Sequence, residues 1–342
     1  MLELQNKEIN GIDLQYYDVS KLSKDEWVGF RSQLNRIGGS DVGTICGVNL
    51  YKDPLILFYE KIGVKENSFK GNDATILGTF FEESIREMWQ YGSTLDEIRE
   101  NFNKGRKVRE AHDPLWTIIN PAYPIFAANT DGLITKDPDN DYLGTGVLEI
   151  KKITYRASRA YKGGIPISYV YQLQAYMWVV GAKYGYISAL VGEMDFITRP
   201  YYIDPEIVED ILQSCHRFWD AVTLGREIVG QNLSQKEQTE QLLMLEDTFS
   251  DVLSVSAYDK LSEWLAEPQF TDRRQGEIQP TPEIMDAAHR YYEGGERERA
   301  AKKEKESAGI ELKRLLTKIG GQICDTGEYE IKFKKRLTVK KK

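Results

Sequence analysis

Apolar residues recur at helical spacing in six segments of the first 230 residues, and most segments have a recognisable start or stop. Asp53-Pro54, for example, combines an N-cap residue with proline at the first helical position, and Gly63 ends the same segment. This pattern predicts helices over about 25–34, 40–46, 55–61, 73–91, 169–180 and 204–225.

Between these helices the pattern changes to short runs that are rich in β-branched and aromatic residues. Such runs predict strands over 116–119, 125–131, 144–151, 184–191 and 196–203, the last two as a hairpin. The order of helices, strands, helix, strands and helix predicts an α/β domain of layered architecture over residues 1–228.

The remaining residues, 229–342, are polar and helical in pattern, and the pattern predicts a helical C-terminal appendage. We expect a long helix over 283–319, interrupted at Gly294-Gly295, and a basic strand over 331–336. The lysines that follow are interpreted as a solvated tail rather than a weak DNA contact.

Composition narrows the class of protein. The chain has 342 residues, 41% of them hydrophobic, and a formal net charge of −8, which is typical of a globular protein and argues against a general nucleic-acid coat. We expect neither a signal peptide nor a membrane-spanning segment. The three cysteines form no CxxC pair, which indicates a reducing compartment and disfavours a zinc ribbon or an iron–sulfur cluster.

The segment Leu148-Glu149-Ile150-Lys151 contains candidate catalytic and metal-binding residues. Side chains of a strand alternate between faces, so Glu149 and Lys151 share one face. We expect Asp131, from the preceding strand, to converge with Glu149. Two carboxylates and a main-chain carbonyl are suitable oxygen ligands for Mg²⁺, and the lysine could stabilise charge on a phosphoryl group. The alternative is an ordinary surface salt bridge.

A second candidate is the glycine-rich corner Gly38-Gly39-Ser40, which follows Arg31 and Arg36. Glycines allow main-chain N–H groups to approach a ligand closely, and a helix that begins at Ser40 would offer further donors. The corner could therefore be a phosphate cradle. The alternative is a simple helix–loop–helix corner with a serine N-cap.

Five motifs together resemble one known family. They are GGSD (38–41), GTFFE (78–82), TDG (130–132), LEIK (148–151) and YVYQLQAYMW (169–178). In this order they are similar to the motifs of YqaJ-like viral recombinases, which belong with the lambda-type exonucleases in the PD-(D/E)XK nuclease superfamily. The resemblance covers about residues 25–195 and implies a restriction-endonuclease-like core, with a central mixed β-sheet flanked by helices.

The resemblance also implies roles for individual residues at a catalytic centre. Asp131 and Glu149 would bind the metal together with the Ile150 carbonyl, and Glu82 would support the metal directly or through water. Lys151 would be the catalytic lysine. Gln172 would lie near the attacking water. The implied cofactor is Mg²⁺, with Mn²⁺ able to substitute.

For DNA binding, the resemblance implies that Arg31 and Tyr169 contact a terminal phosphate and that Ser40 belongs to the same pocket. Asn129 stands where the lambda enzyme has serine, and Arg156 follows the LEIK motif slightly out of register. The spacing from Arg31 to Ser40 is longer than in the lambda enzyme. The motifs therefore support the nuclease centre more strongly than the 5′-phosphate pocket.

The function that this resemblance implies is a Mg²⁺-dependent deoxyribonuclease, a 5′-to-3′ double-strand exonuclease that resects DNA ends for phage-type recombination. Duplex ends with a 5′ phosphate, a single-strand annealing protein and a homo-oligomeric ring are the implied partners. We expect a cytoplasmic, phage- or prophage-encoded protein. The alternatives are an endonuclease or nickase with the same metal site, or a scaffold that binds DNA ends without cleaving them.

Overall fold

The computed structural model describes residues 2–49, 52–65, 73–153, 165–192, 195–253, 282–319, 323–325, 329–333 and 337–341. Contacts divide the chain into two compact units, Met1–Glu267 and Pro268–Lys342. None of the helices in the described ranges combines the length and the apolar character that crossing a membrane requires.

The first unit is a mixed α/β structure. Its helices are α1 (Lys24–Leu34), α2 (Gly39–Ile45), α3 (Pro54–Lys61), α4 (Asp73–Tyr91), α5 (Leu95–Asn103), α6 (Ile167–Val180), α7 (Pro205–Gly230) and α8 (Gln235–Thr248). Its strands are β1 (Leu4–Ile9), β2 (Ile12–Asp18), β3 (Ile37–Gly38), β4 (Glu110–His112), β5 (Trp116–Ile119), β6 (Phe126–Ala127), β7 (Gly132–Lys136), β8 (Gly146–Ile153), β9 (Tyr184–Val191) and β10 (Asp195–Tyr202). All six predicted helices of this region are present.

The central sheet has the strand order β10-β9-β8-β7-β4. It is mixed because β8 and β9 are parallel and joined through α6, whereas the other neighbours are antiparallel. The predicted hairpin of β9 and β10 is confirmed. The central mixed sheet with its helices agrees with the expected fold class, and a restriction-endonuclease-like core stays a prediction.

The two faces of this sheet are covered by different helices. On one face, Ile85 and Trp89 of α4 pack in a cluster with Leu148 and Ile150 of β8. The other face meets α6, since a Cβ at Gly185 would lie 2.9 Å from Leu173 Cδ1 and 3.1 Å from Met177 Sδ. Because side chains alternate along a strand, the odd-numbered residues of β8 lie on the face that α6 covers.

The N-terminal hairpin of β1 and β2 was not predicted. Its two-residue turn is Asn10-Gly11, with φ angles of 53° and 76°. Asn-Gly is the turn sequence that favours a tight hairpin, because both positions need positive φ. The hydrophobic pattern did not indicate these two strands because many of their residues are polar. The hairpin joins β5 to form a separate three-stranded sheet.

The boundary predicted at residue 228 falls inside α7. Beyond α7, α8 and the residues after it still contact the first unit, where Arg217 pairs with Asp251 at 3.2 Å and Tyr59 donates to Glu246. These contacts extend the first unit past the predicted boundary, to Glu267.

The second unit contains α9 (Pro282–Ile319) and three antiparallel strands, β11 (Ile323–Asp325), β12 (Tyr329–Phe333) and β13 (Leu337–Lys341). The helix continues through Gly294-Gly295, so the predicted interruption is wrong. The terminal lysines that we interpreted as a tail belong in part to β13, which pairs with β12. A single strand cannot satisfy its own main-chain groups, and the neighbouring strands do so.

Candidate active site

The sequence predicted that Asp131 ends a strand. In the structure it stands immediately before β7 instead. The strand predicted over 125–131 is wrong in its bounds because the chain changes partners there. Ala128 bridges to Ile118 of β5, whereas the residues from Gly132 onward pair with β8. The segment between these pairings therefore bends, and Asp131 lies at the bend.

Strand pairing brings Asp131 and Glu149 together. Gly132 pairs with Leu148 and Leu133 with Val147, so the same register continued by one residue places Asp131 opposite Glu149. The Ile150 N–H donates to Oδ2 of Asp131 at 2.7 Å. In a β-strand the N–H and C=O of one residue face the same neighbour, so the Ile150 carbonyl also faces the side on which Asp131 lies.

Lys151 lies beside these acids. Its ammonium group donates to Oε1 of Glu149, and its Nζ lies 4.8 Å from the ring centroid of Tyr169 on α6. The Glu149 side chain is 1% exposed and that of Lys151 21% exposed. Lys151 and Glu149 thus form the salt bridge that the alternative interpretation expected, but its acid is buried and only the lysine is partly exposed.

Burial and crowding shift the pKa of each acid. Burial, followed by the nearby Asp131 carboxylate, raises the pKa of Glu149 to about 8. Burial likewise raises the pKa of Asp131, against the opposing effect of Lys151. Burial alone would lower the pKa of Lys151, but Glu149 and Asp131 raise it above its usual value. The lysine thus stays protonated, while the acids favour a second positive charge nearby.

Glu82 approaches the same cluster from α4. Burial and the Asp131 carboxylate raise the pKa of Glu82 to about 7. One helical turn further along, Arg86 donates to the Asp131 carbonyl at 3.2 Å, and it pairs with Asp113 at 3.6 Å. Arg86 was missed in the sequence. Its position four residues after Glu82, on the same helix face, is the signal that could have found it.

A divalent cation fits the donors of this cluster. Oε2 of Glu149 is buried and has no hydrogen-bond partner, although its other oxygen accepts from Lys151. Carboxylate oxygens are ligands that Mg²⁺ prefers. Burial and the neighbouring carboxylates raise the pKa of Glu149 and of Glu82, and a cation would offset the negative charge of these carboxylates. Among the described residues, no three His, Cys, Asp or Glu side chains are grouped closely enough to form a metal site by themselves. The main-chain carbonyl and water would therefore have to complete the coordination.

The glycine corner differs from the prediction at Ser40. The N-cap of α2 is Gly38, and Asp41 accepts a hydrogen bond from the Gly38 N–H at 3.1 Å. Ser40 is exposed in the first turn and is not the cap. The cap shifts because the Asp41 side chain reaches back to Gly38 and also pairs with Lys61 at 2.8 Å.

Close packing explains the glycines themselves. A Cβ at Gly39 would lie 2.5 Å from Tyr176 Cε1 and 3.0 Å from Gln172 Cγ. A Cβ at Gly38 would lie 3.2 Å from Arg31 Nη2. The two glycines thus allow α2 to approach α6 on one side and the Arg31 guanidinium on the other.

Tyr176 connects this corner to the carboxylates. Burial raises the pKa of its hydroxyl, Glu149 raises it further, and Arg31 opposes both effects. Arg31, which also lies over the Trp27 ring at 4.7 Å, is therefore in the electrostatic neighbourhood of the cluster. Gln172 lies one helical turn before Tyr176 on the same face of α6.

The structure leaves two predicted DNA contacts as predictions. The Asn129 side chain accepts a hydrogen bond from the Thr117 hydroxyl at 2.7 Å, which ties the segment before Asp131 to β5. Arg156 lies outside the described residues.

Residues 26–183 match the model of the YqaJ-like viral recombinase domain. The matched range includes all five motifs and the three acids Glu82, Asp131 and Glu149, which we call the acidic cluster. The resemblance to YqaJ-like viral recombinases that the motifs indicated is therefore confirmed over this range.

One known protein sequence and two crystal structures are similar to parts of this chain to different degrees. The "Uncharacterized protein YqaJ" of Bacillus subtilis (strain 168) is 30% identical over 209 residues, which are 60% of this chain and 58% of that protein. The match thus spans less than two thirds of that relative. The crystal structure of an alkaline exonuclease, LHK-Exo, from Laribacter hongkongensis has 16% identity and a TM-score of 0.44. LHK-Exo in complex with dAMP has 17% identity and a TM-score of 0.46. Both matches cover 64% of this chain and 100% of the other.

Proposed function

We propose that this chain is a Mg²⁺-dependent deoxyribonuclease that hydrolyses phosphodiester bonds. The observation that supports it best is the Asp131 carboxylate held against β8 by the Ile150 N–H, next to Glu149, with Lys151 alongside and one oxygen of Glu149 without a partner. Acids so closely placed are unfavourable in the interior without a compensating cation. The YqaJ-like domain over residues 26–183 supports a role in recombination.

In this proposal Asp131, Glu149 and the Ile150 carbonyl hold the cation, and Glu82 supports it directly or through water. Mn²⁺ can replace Mg²⁺, because both accept oxygen ligands. The cation would supply Lewis-acid activation of the scissile phosphodiester. Arg86 holds the main chain at Asp131 and so keeps this carboxylate opposite Glu149.

Lys151 acts as a fixed positive charge. Its neighbours raise its pKa, so it stays protonated at neutral pH and does not remove a proton from water. It stabilises the negative charge that develops on the transferring phosphoryl group. Gln172, on the helix that covers this face of the sheet, orients the attacking water.

We further propose that digestion proceeds from 5′ to 3′ on duplex ends. Arg31 and Tyr169 hold the terminal phosphate, because Arg31 lies at the glycine corner and Tyr169 lies over Lys151. The proposed setting is the cytoplasm of a bacterial host, with a homo-oligomeric ring and a single-strand annealing protein as partners. These finer points rest on the resemblance to lambda-type exonucleases.

Time-resolved digestion of a linear duplex, labelled at either the 5′ or the 3′ end, tests the proposal. We expect cleavage only with Mg²⁺ or Mn²⁺, a preference for 5′-phosphorylated ends, and accumulation of 3′ single strands. The matched control is Glu149→Gln, which keeps the size of the side chain and removes the charge.

A closed circular duplex separates the alternatives. Cleavage of the circle at the rate of the linear duplex would indicate an endonuclease or nickase. Binding of linear ends by the unaltered chain without any cleavage in Mg²⁺ or Mn²⁺ would indicate a scaffold and would refute the proposed reaction.

A further inference from the structure

Charge is divided unequally between the two compact units. Residues 1–267 contain 27 lysines and arginines and 40 acids, which gives a net charge of −13. Residues 268–342 contain 18 lysines and arginines and 13 acids, which gives +5. The unit with the candidate active site thus has a net charge that opposes the approach of a polyanion, whereas the second unit has a net charge that favours it.

Within the second unit the positive charge is concentrated at the C-terminal end of α9 and in the sequence that follows it. Residues 313–342 hold ten lysines and arginines and three acids. Leu316 of α9 and Ile331 of β12 are buried, so this region has an apolar interior. Lys332, which neighbours Ile331 on β12, is exposed. Lys332 therefore lies on the surface of an ordered strand, and Lys340 and Lys341 belong to β13.

A shallow, open groove lies along this part of α9. Its described lining residues are Glu311, Lys313, Arg314, Leu315 and Lys318. Arg314 and Lys318 are exposed and four residues apart, so they form a row along one helix face. Three cations and a single acid give this lining a net positive charge.

We propose that this groove binds the sugar–phosphate backbone of duplex DNA, at a site separate from the acidic cluster and without need of a DNA end. The choice of DNA as the polyanion rests on the proposed nuclease function. Binding of single strands commonly relies on aromatic side chains that stack on bases, and the described lining of the groove has none. Cations without such platforms recognise phosphates and not sequence.

The test measures binding of the full chain to a dumbbell duplex that has no ends, by fluorescence anisotropy in EDTA and across a range of salt concentrations. We expect the Arg314→Gln/Lys318→Gln double variant to bind roughly tenfold more weakly. Its log–log salt dependence should be shallower by about 2, since each lost phosphate contact contributes about 0.9. The matched control is Lys302→Gln/Lys303→Gln, which removes the same charge from exposed positions at least about 16 Å further back along α9.

Equal weakening of DNA binding in both double variants would show that only net charge matters, and it would overturn the assignment of the groove. Unchanged DNA binding in both variants would overturn it as well. Tighter binding of an RNA duplex, or binding of anionic vesicles and not of DNA, would assign the groove to another partner and would also overturn it. Circular dichroism of both variants checks that α9 is intact. The dumbbell has no ends and is not cut in EDTA, so this binding experiment does not depend on nuclease activity. The proposed nuclease function is tested separately by the effect of Glu149→Gln on cleavage.

Discussion

The main-chain N–H of Ile150 donates a hydrogen bond to Oδ2 of Asp131 at 2.7 Å. This bond fixes the Asp131 carboxylate against β8, directly opposite the position that Glu149 takes in the strand register. It occupies one oxygen of Asp131 and leaves the other for a different partner. The two acids are thus held together by main-chain geometry, and burial together with the neighbouring Asp131 carboxylate raises the pKa of Glu149.

Neutralising either acid should remove activity and spare the fold. Asp131→Asn keeps an oxygen that can accept from Ile150, and Glu149→Gln keeps the size of the side chain. We expect cleavage to fall by more than about a hundredfold, because a ligand contributes more than the residues that orient it. The thermal unfolding midpoint without divalent cations should stay or rise, since a buried carboxylate is removed. Unchanged initial rates would contradict the assignment, and Glu83→Gln on the exposed side of α4 is the control.

Replacing Lys151 by methionine should lower turnover without abolishing cation binding. The ammonium group lies beside Glu149 and its removal takes away charge stabilisation worth about 10²–10³ in rate. Single-turnover cleavage measures the loss, and titration calorimetry with Mn²⁺ measures cation affinity. Lys152→Met, at the neighbouring position on the opposite face of β8, is the control. Full turnover in the Lys151 variant would remove the lysine from the mechanism.

Arg86 should influence catalysis through the position of Asp131. It donates to the Asp131 carbonyl and pairs with Asp113, so Arg86→Gln should loosen the bend before β7. We expect cleavage and Mn²⁺ affinity to fall by about 10- to 100-fold, with partial recovery in Arg86→Lys. A fall in stability with unchanged Mn²⁺ affinity would show that Arg86 supports only the fold.

Gly39→Ala should destabilise the protein. The added Cβ would meet the Tyr176 ring at 2.5 Å, and separating α2 from α6 should cost about 1–3 kcal/mol. The control is Gly29→Ala in the interior of α1, where no atom lies within 4 Å of the added Cβ. That change should stabilise the protein by about 0.5–1 kcal/mol. Urea unfolding compares the two, and equal effects would contradict the packing at Gly39.

Asp41 should make stability depend on acid pH. Burial works to raise its pKa, but Lys61 and Lys52 outweigh burial and lower it below its usual value. Its stabilising contribution is therefore complete above the unfolded pKa of about 4 and is lost as the pH falls through the lowered folded value. The difference in unfolding free energy between the unaltered chain and Asp41→Asn should shrink as the pH falls from 7 towards 3. A difference that stays constant with pH would contradict the ion pair with Lys61.

The helices were the most predictable part of the fold because their signals are local. The capped segment that begins at Asp53-Pro54 is α3, and the long stretch from residue 283 is α9. The strands were less predictable. The bounds around Asp131 depend on a change of pairing partner from β5 to β8, which no local pattern records.

By itself, the sequence determined which residues could form a catalytic centre. Alternation along β8 places Glu149 and Lys151 on one face, and the order of the five motifs indicates the similarity to YqaJ-like viral recombinases. Only the tertiary structure decided that Asp131 stands opposite Glu149 and that Arg86 holds it there. It also decided that Gly38 and not Ser40 caps α2, and that Gly39 lets this helix pack against α6. Periodicity follows from the geometry of one segment, whereas register, burial and close approach depend on residues far apart in the chain.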